Sequence, residues 1–294
     1  MNISTILVFF CSFLYGVSAV LCKYGLQHES NLRNCSFKKV VTYVLMNKVW
    51  AIGVLLSFAA NLIIIEVQSY TDLSVVYPIL NFSYVFTLLL GYFVLSEKLT
   101  KNQMLGITVI ILGTILIIMV KHASTGKYTD IGRLVTLSIF SVLIIAGLMG
   151  YVYKKKVANY ELPYAICTGL AYGNVETYIR ANSNMVTETL GYFSVLSMES
   201  VLQFFMLWPC LVLLFFAVLG WLSMQVTYSH GDVSITVPLF AVIQSSVSIS
   251  SGFFIFNEQY TLQKILGVVA IIVGVSIVIM GSISKNEVKI ANSY

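Results

Sequence analysis

Two stretches decide how this chain folds: 72-DLSVVYPILNFSYVFTLLLGYFVLSEKLTKNQMLGITVIILGTILIIM-119 and 232-DVSITVPLFAVIQSSVSISSGFFIFNEQYTLQKILGVVAIIVGVSIVIM-280. Asp72, Ser74 and Pro78 recur 160 residues later as Asp232, Ser234 and Pro238. After a shift of one residue, Gly91, Glu97, Thr100, Gly106, Gly113 and Met119 recur as Gly252, Glu258, Thr261, Gly267, Gly274 and Met280. Such ordered matches mark an internal repeat. Upstream, Leu14-Tyr15-Gly16 with Lys23 is echoed by Ala171-Tyr172-Gly173 with Arg180 at an offset of 157, so each repeat includes an earlier first helix.

Around these stretches the chain is 58% hydrophobic and only 10% charged over 294 residues, with a mean hydropathy of +0.89. Soluble domains carry about 25% charged residues, so an ordinary soluble protein is excluded. The net charge of +5 is spread between apolar blocks, with no basic patch for nucleic acid. Five cysteines, Cys11, Cys22, Cys35, Cys167 and Cys210, form no C-x-x-C pair and predict free thiols.

A membrane helix needs about 20 mostly apolar residues. Uncharged runs at 1–22, 73–96, 102–120, 134–153, 200–229, 233–257 and 265–284 qualify unaided, and the interrupted blocks 49–65 and 162–181 bring the expectation to about nine spans. Basic residues flanking short loops stay cytoplasmic. Twelve of the seventeen fall on the side of the first loop, which predicts the N-terminus outside and the C-terminus in the cytoplasm.

The first unit spans 1–121 and the second 160–284, four helices each; the linking segment 122–159 carries one crossing, and 285–294 form a cytoplasmic tail. One intervening crossing starts the second unit on the opposite face. The predicted fold is therefore all-α and polytopic, with two inverted four-helix repeats, a layout that supplies two conformations of similar energy for alternating access.

The units resemble halves of the drug/metabolite transporter superfamily, of EamA type, in their proline-bearing helix, following glutamate and glycine-spaced last helix: Pro78, Glu97, Gly106 and Gly113, then Pro238, Glu258, Gly267 and Gly274. Nine spans with the N-terminus outside is similar to the NIPA-type magnesium transporters, whereas the more usual EamA-type members have ten. Single units resemble small multidrug resistance proteins, whose membrane glutamate corresponds here to Tyr15 or Tyr172.

Ionisable groups inside a span cost roughly 2.5–3.5 kcal/mol on insertion scales and are functional candidates by default. Glu176, with Asn174 two positions before it and Arg180 four after, is the first; its alternatives are a substrate or coupling site and an internal pair with Arg180. Glu66, between Asn61 and Gln68, either reaches the headgroups or joins the site. Pro78 and Pro238 break helical bonding near the starts of their spans, with Asn81 and Ser83 after the first and Gln244, Ser245, Ser246, Ser248, Ser250 and Ser251 after the second. Tyr15, Tyr77, Tyr84, Tyr172 and Tyr228 offer rings and hydroxyls to an organic cation or zwitterion. The glycines recurring every seven residues predict close helix packing between the units, and Glu97 and Glu258 look like caps for the helices that follow them.

No phosphate loop, nucleophile elbow or zinc-binding helix motif appears, and His28, His122 and His230 are scattered, so no enzyme and no cofactor are expected. The expectation is a multi-pass carrier, a monomer unless a homodimer forms, that moves a small polar solute such as an amino acid past Glu176, Asn174, Glu66, Asn81, Gln244 and Tyr172. Mg²⁺ is the alternative substrate, and a lipid-binding or subunit scaffold that transports nothing is the alternative class.

Overall fold

The computed structural model describes residues 3–27, 47–94, 100–119, 129–155, 161–230, 233–259 and 261–291. Eleven α-helices and no strand occur among them: α1 Ile3–Gln27, α2 Lys48–Gln68, α3 Leu73–Leu80, α4 Phe82–Val94, α5 Lys101–Ile118, α6 Ile131–Lys155, α7 Glu161–Leu190, α8 Met198–Met206, α9 Trp208–His230, α10 Val233–Phe254 and α11 Leu262–Ala291. Each of the nine apolar blocks is helical over most of its described residues. Two of them are broken where a single run was expected. The block 73–96 is interrupted at Asn81, three residues after Pro78, which lacks the N–H that would bond the Ser74 carbonyl. The block 200–229 bends at Leu207, where the helices Met198–Met206 and Trp208–Met224 meet at 80° and Pro209 near the start of α9 cannot bond back into α8.

Among the described residues, four helical stretches are long and apolar enough to cross a membrane unaided: Ile3–Cys22, Lys48–Gln68, Leu73–Val94 and Ile131–Lys154; the bent pair makes a fifth. Lys101–Ile117, Leu239–Phe254 and Leu262–Val278 are shorter apolar segments. α7 is the exception, because Thr168, Asn174, Glu176, Thr177, Arg180, Asn182, Ser183 and Asn184 are all buried along it. It lies against α9, α10 and α6 and turns these polar groups into the protein.

Helix starts follow local chemistry. Asn47 accepts from Val49 N and Trp50 N to open α2, and Thr100 forms a capping box with Gln103 to open α5. The threonine half of that cap recurs where Thr261 Oγ1 accepts from Lys264 N at the start of α11. Glu258 therefore does not cap the helix that follows it; Glu97 lies outside the described residues.

α5 and α11, which carry the repeated glycines, pack antiparallel and touch through their backbones. A Cβ on Gly106 would sit 2.6 Å from Gly274 O, and one on Gly113 would sit 2.8 Å from Gly267 O. Ile107, Ile110 and Ile117 close this seam against Ile271, Val275 and Val278. A second correspondence lies within the units: a Cβ on Gly16 of α1 would meet Phe86 Cβ of α4 at 2.5 Å, and one on Gly173 of α7 would meet Val247 Cβ of α10 at 2.5 Å. Phe86 and Val247 stand at the 161-residue offset of the repeat.

At one end of the bundle four connections meet. Glu66 Oε2 accepts from Val195 N at 2.7 Å, Asp130 N donates to Ile255 O at 3.3 Å, and Arg180 reaches the Thr71 carbonyl.

Candidate functional site

α3, α7 and α10 converge on the Glu176 carboxylate, which is 8% exposed. Gln244 Nε2 and Ser248 Oγ of α10, one helical turn apart, both donate to it. The Tyr77 hydroxyl of α3 lies beside it. Gln68 Nε2, at the end of α2, donates to that hydroxyl, which leaves the tyrosine proton free to point at the carboxylate. Ser245 Oγ donates to Asn81 Oδ1 at 3.0 Å, joining the end of α3 to α10. Gln68 Oε1 is buried without a partner.

Glu176 forms no ion pair among the described residues. The pairing with Arg180 that the i,i+4 spacing allowed is absent, because each side chain has partners from distant parts of the chain. Arg180 Nη1 instead donates to Thr71 O at 3.2 Å. A buried carboxyl held by neutral donors alone has no counter-charge beside it, and a cation placed there would favour its ionised form.

Of the residues singled out in the sequence, Glu176, Gln244 and Asn81 come together. Asn174 does not join them: its amide donates to Ser141 Oγ of α6 at 2.8 Å, on the far side of α7. Glu66 turns to the 191–197 connection. Tyr172 leans on α9, its hydroxyl 3.9 Å from Met224 Sδ, while Tyr15 donates to Asn61 at 2.9 Å. Pro78 lies in α3, one residue beyond Tyr77; Pro238 lies in α10. Gln68 is the participant that sequence reasoning did not single out. Its signal was an amide at the end of an apolar helix, nine residues before Tyr77.

A second polar cluster, also missed in the sequence, sits at the N-terminus of α3. Glu258 accepts from Leu73 N at 2.6 Å, from Ser74 N at 3.0 Å and from Ser74 Oγ. Lys264 Nζ lies 3.2 Å from Asp72 Oδ2 and 3.8 Å from Glu258 Oε2. Burial pushes the Glu258 carboxyl above the ordinary carboxylate range, nearby Asp72 pushes the same way, and Lys264 opposes both. Asn257 takes a positive φ of 50° to turn the chain toward α3, and Gly252 makes room: a Cβ there would stand 2.6 Å from Glu258 Oε2. Recurrence of Asp72 and Glu258 in the repeat was the available signal.

No group of three or more His, Cys, Asp or Glu placed to hold a metal occurs among the described residues. Residues 2–119 match the EamA-like transporter family. The chain is 22% identical to a protein of Arabidopsis thaliana described as probable magnesium transporter NIPA8, over 84% of this chain and 61% of that protein, so it spans less than two thirds of that relative. It is 21% identical to an uncharacterized protein of Corynebacterium glutamicum, over 74% of this chain and 72% of that one. No solved structure matches the chain. The chain is thus a membrane protein, helical among its described residues, whose residues 2–119 match the EamA-like transporter family.

Proposed function

We propose that the protein is a secondary transporter that moves a small polar solute bearing an ammonium group, such as an amino acid, by alternating access of two inverted four-helix units, 1–121 and 160–284, joined through 122–159. The antiparallel α5–α11 seam and the matched Gly16–Phe86 and Gly173–Val247 contacts support the inverted units. The observation that carries the substrate class is Glu176, buried with donors and without a counter-charge. Gln244, Ser248 and Tyr77 stand against it, with Gln68 behind Tyr77 and Asn81 bonded to Ser245; Asn174, Glu66 and Tyr172 have partners elsewhere and are not assigned to the site. The excess of basic residues on one side supports an outer N-terminus and a cytoplasmic C-terminus.

Mg²⁺ is the second reading, favoured by the description of the plant relative. One carboxylate favours the ammonium: it balances a single positive charge, whereas a divalent ion beside it keeps an uncompensated charge in a low-dielectric site. The scaffold alternative calls for a filled interior with Glu176 and Arg180 paired and dry; both are buried, but each has other partners.

A thermal-shift panel on the detergent-purified full chain tests the choice, with amino acids, amines, Mg²⁺ and other divalent ions. A ligand at 100 times its Kd adds roughly 2.7 kcal/mol to the folded state. We expect an amino acid or amine to stabilise the protein and Glu176→Gln to weaken that binding by roughly 10- to 100-fold, the loss of one charge-assisted contact. Stabilisation by Mg²⁺ alone, abolished in Glu176→Gln, replaces the amino acid by the cation. No shift from any compound overturns both.

A further inference from the structure

The groups that hold the N-terminal end of α3 all come from the second half of the chain. Glu258 takes the Leu73 and Ser74 N–H groups and the Ser74 hydroxyl, Lys264 of α11 takes the Asp72 carboxylate, and Arg180 of α7 takes the Thr71 carbonyl. The cluster is dry: Arg180 is 0% exposed, Lys264 3%, Glu258 4% and Asp72 7%. At its other end α3 is held by Ser245 through Asn81, and between the two ends stands Tyr77, beside Glu176. With eight residues, α3 is a rod of about 12 Å, so a shift at its first turn is passed to Tyr77, one turn on.

Packing alone does not explain this construction. Two acids and two bases taken out of water gain little net stability, and apolar side chains of similar volume would brace the helix at least as well. The cluster is also incompletely satisfied, since Asp72 Oδ1 and Arg180 Nε have no partner. Its central bonds run to N–H groups at a helix start, which water can take over once the end opens. The left-handed Asn257 and the space left by Gly252 aim the Glu258 carboxylate at this one place.

We propose that Glu258 is a positioning residue that latches α3 of the first unit onto the second, closing this end of the bundle and holding Tyr77 against Glu176. Release of Glu258 opens this end and withdraws Tyr77 from the carboxylate. The purpose of the latch rests on the transporter assignment, yet its opening is measured without any substrate.

The test uses Thr71→Cys, whose position is 5% exposed, and Ile117→Cys, fully buried in the α5–α11 seam, each in the full-length protein in proteoliposomes. Reaction with a membrane-impermeant maleimide is followed above the background of the native cysteines. Two second-site variants break the latch differently: Glu258→Gln removes the charge, and Gly252→Ala keeps the charge while displacing the carboxylate. We expect each to speed labelling at position 71 about tenfold, the equilibrium effect of losing one charge-assisted bond, with position 117 unchanged. Glu258→Asp should return the rate part of the way. If Glu258→Gln fails to fold, Gly252→Ala decides alone, because the clash falls on the movable end of a side chain. Unchanged labelling at position 71, or faster labelling at both positions, overturns the latch. A silent ligand panel with faster labelling at position 71 overturns only the substrate class.

Discussion

Glu176 and Arg180 are one helical turn apart, and the spacing alone suggested that they pair. What separates them is partners the local sequence does not reveal: Gln244 and Ser248 lie 68 and 72 residues from Glu176, and Thr71 lies 109 from Arg180. Asn174 is a different case, because helical geometry places a residue two positions away about 200° round the helix. Its turn toward Ser141 was therefore readable. At this scale the charged latch makes a sharp prediction. Lys264→Met leaves Asp72 and Glu258 adjacent without their ammonium, and should cost about 3–5 kcal/mol, seen as a lower melting temperature in detergent. The double variant Lys264→Met with Asp72→Asn removes one of the stranded charges and should recover a large part of that loss. Equal melting of single and double variants would contradict a charge-based cluster.

The elements were more legible than their interruptions. Uncharged runs locate the helices because an apolar helix can satisfy its own backbone in lipid, whereas a break inside a run leaves the run apolar. Pro78 and Pro209 were the visible signals for the breaks at Asn81 and Leu207, but proline bends and proline tolerated in a first turn look alike in sequence. The glycine spacing was the clearest element-level feature, and its meaning is steric. Gly106→Val places carbon where Gly274 O and Val278 already stand, and should destabilise by about 1–3 kcal/mol or more. Gly147→Ala, with nothing within 4 Å of the new carbon, should be neutral or slightly stabilising. Paired melting curves of the two variants check this, and equal losses would refute the seam as the distinguishing cause.

For the whole molecule, the proposed plan of two units rests on the repeat in sequence, and the like contacts of Gly16 and Gly173 accord with it. The site was less legible, since Glu176, Gln68 and Lys264 have no acidic, amide or basic counterpart in the other unit: the offsets place Ala19, Tyr228 and Gln103 there. An asymmetric site on a symmetric scaffold is invisible to the repeat. The proposed orientation is tested by epitope tags on intact cells. An N-terminal tag should bind antibody without permeabilisation and a C-terminal tag only after it; the reverse pattern would invert the proposal.

The burial of polar groups along α7 has a consequence for how the protein is made. Each charged residue at mid-membrane opposes partition of a single helix by roughly 2.5–3.5 kcal/mol, and α7 carries Glu176 and Arg180 together with Asn174, Asn182 and Asn184. Leaving the translocon alone, α7 would meet lipid with those groups bare. Ser141, Thr129 and Thr71, the partners of Asn174, Asn184 and Arg180, precede it in the chain, but Gln244 and Ser248, the partners of Glu176, are synthesised after it. During biosynthesis α7 must therefore wait in a sheltered place until the later helices emerge, and it enters the bilayer as a member of a group.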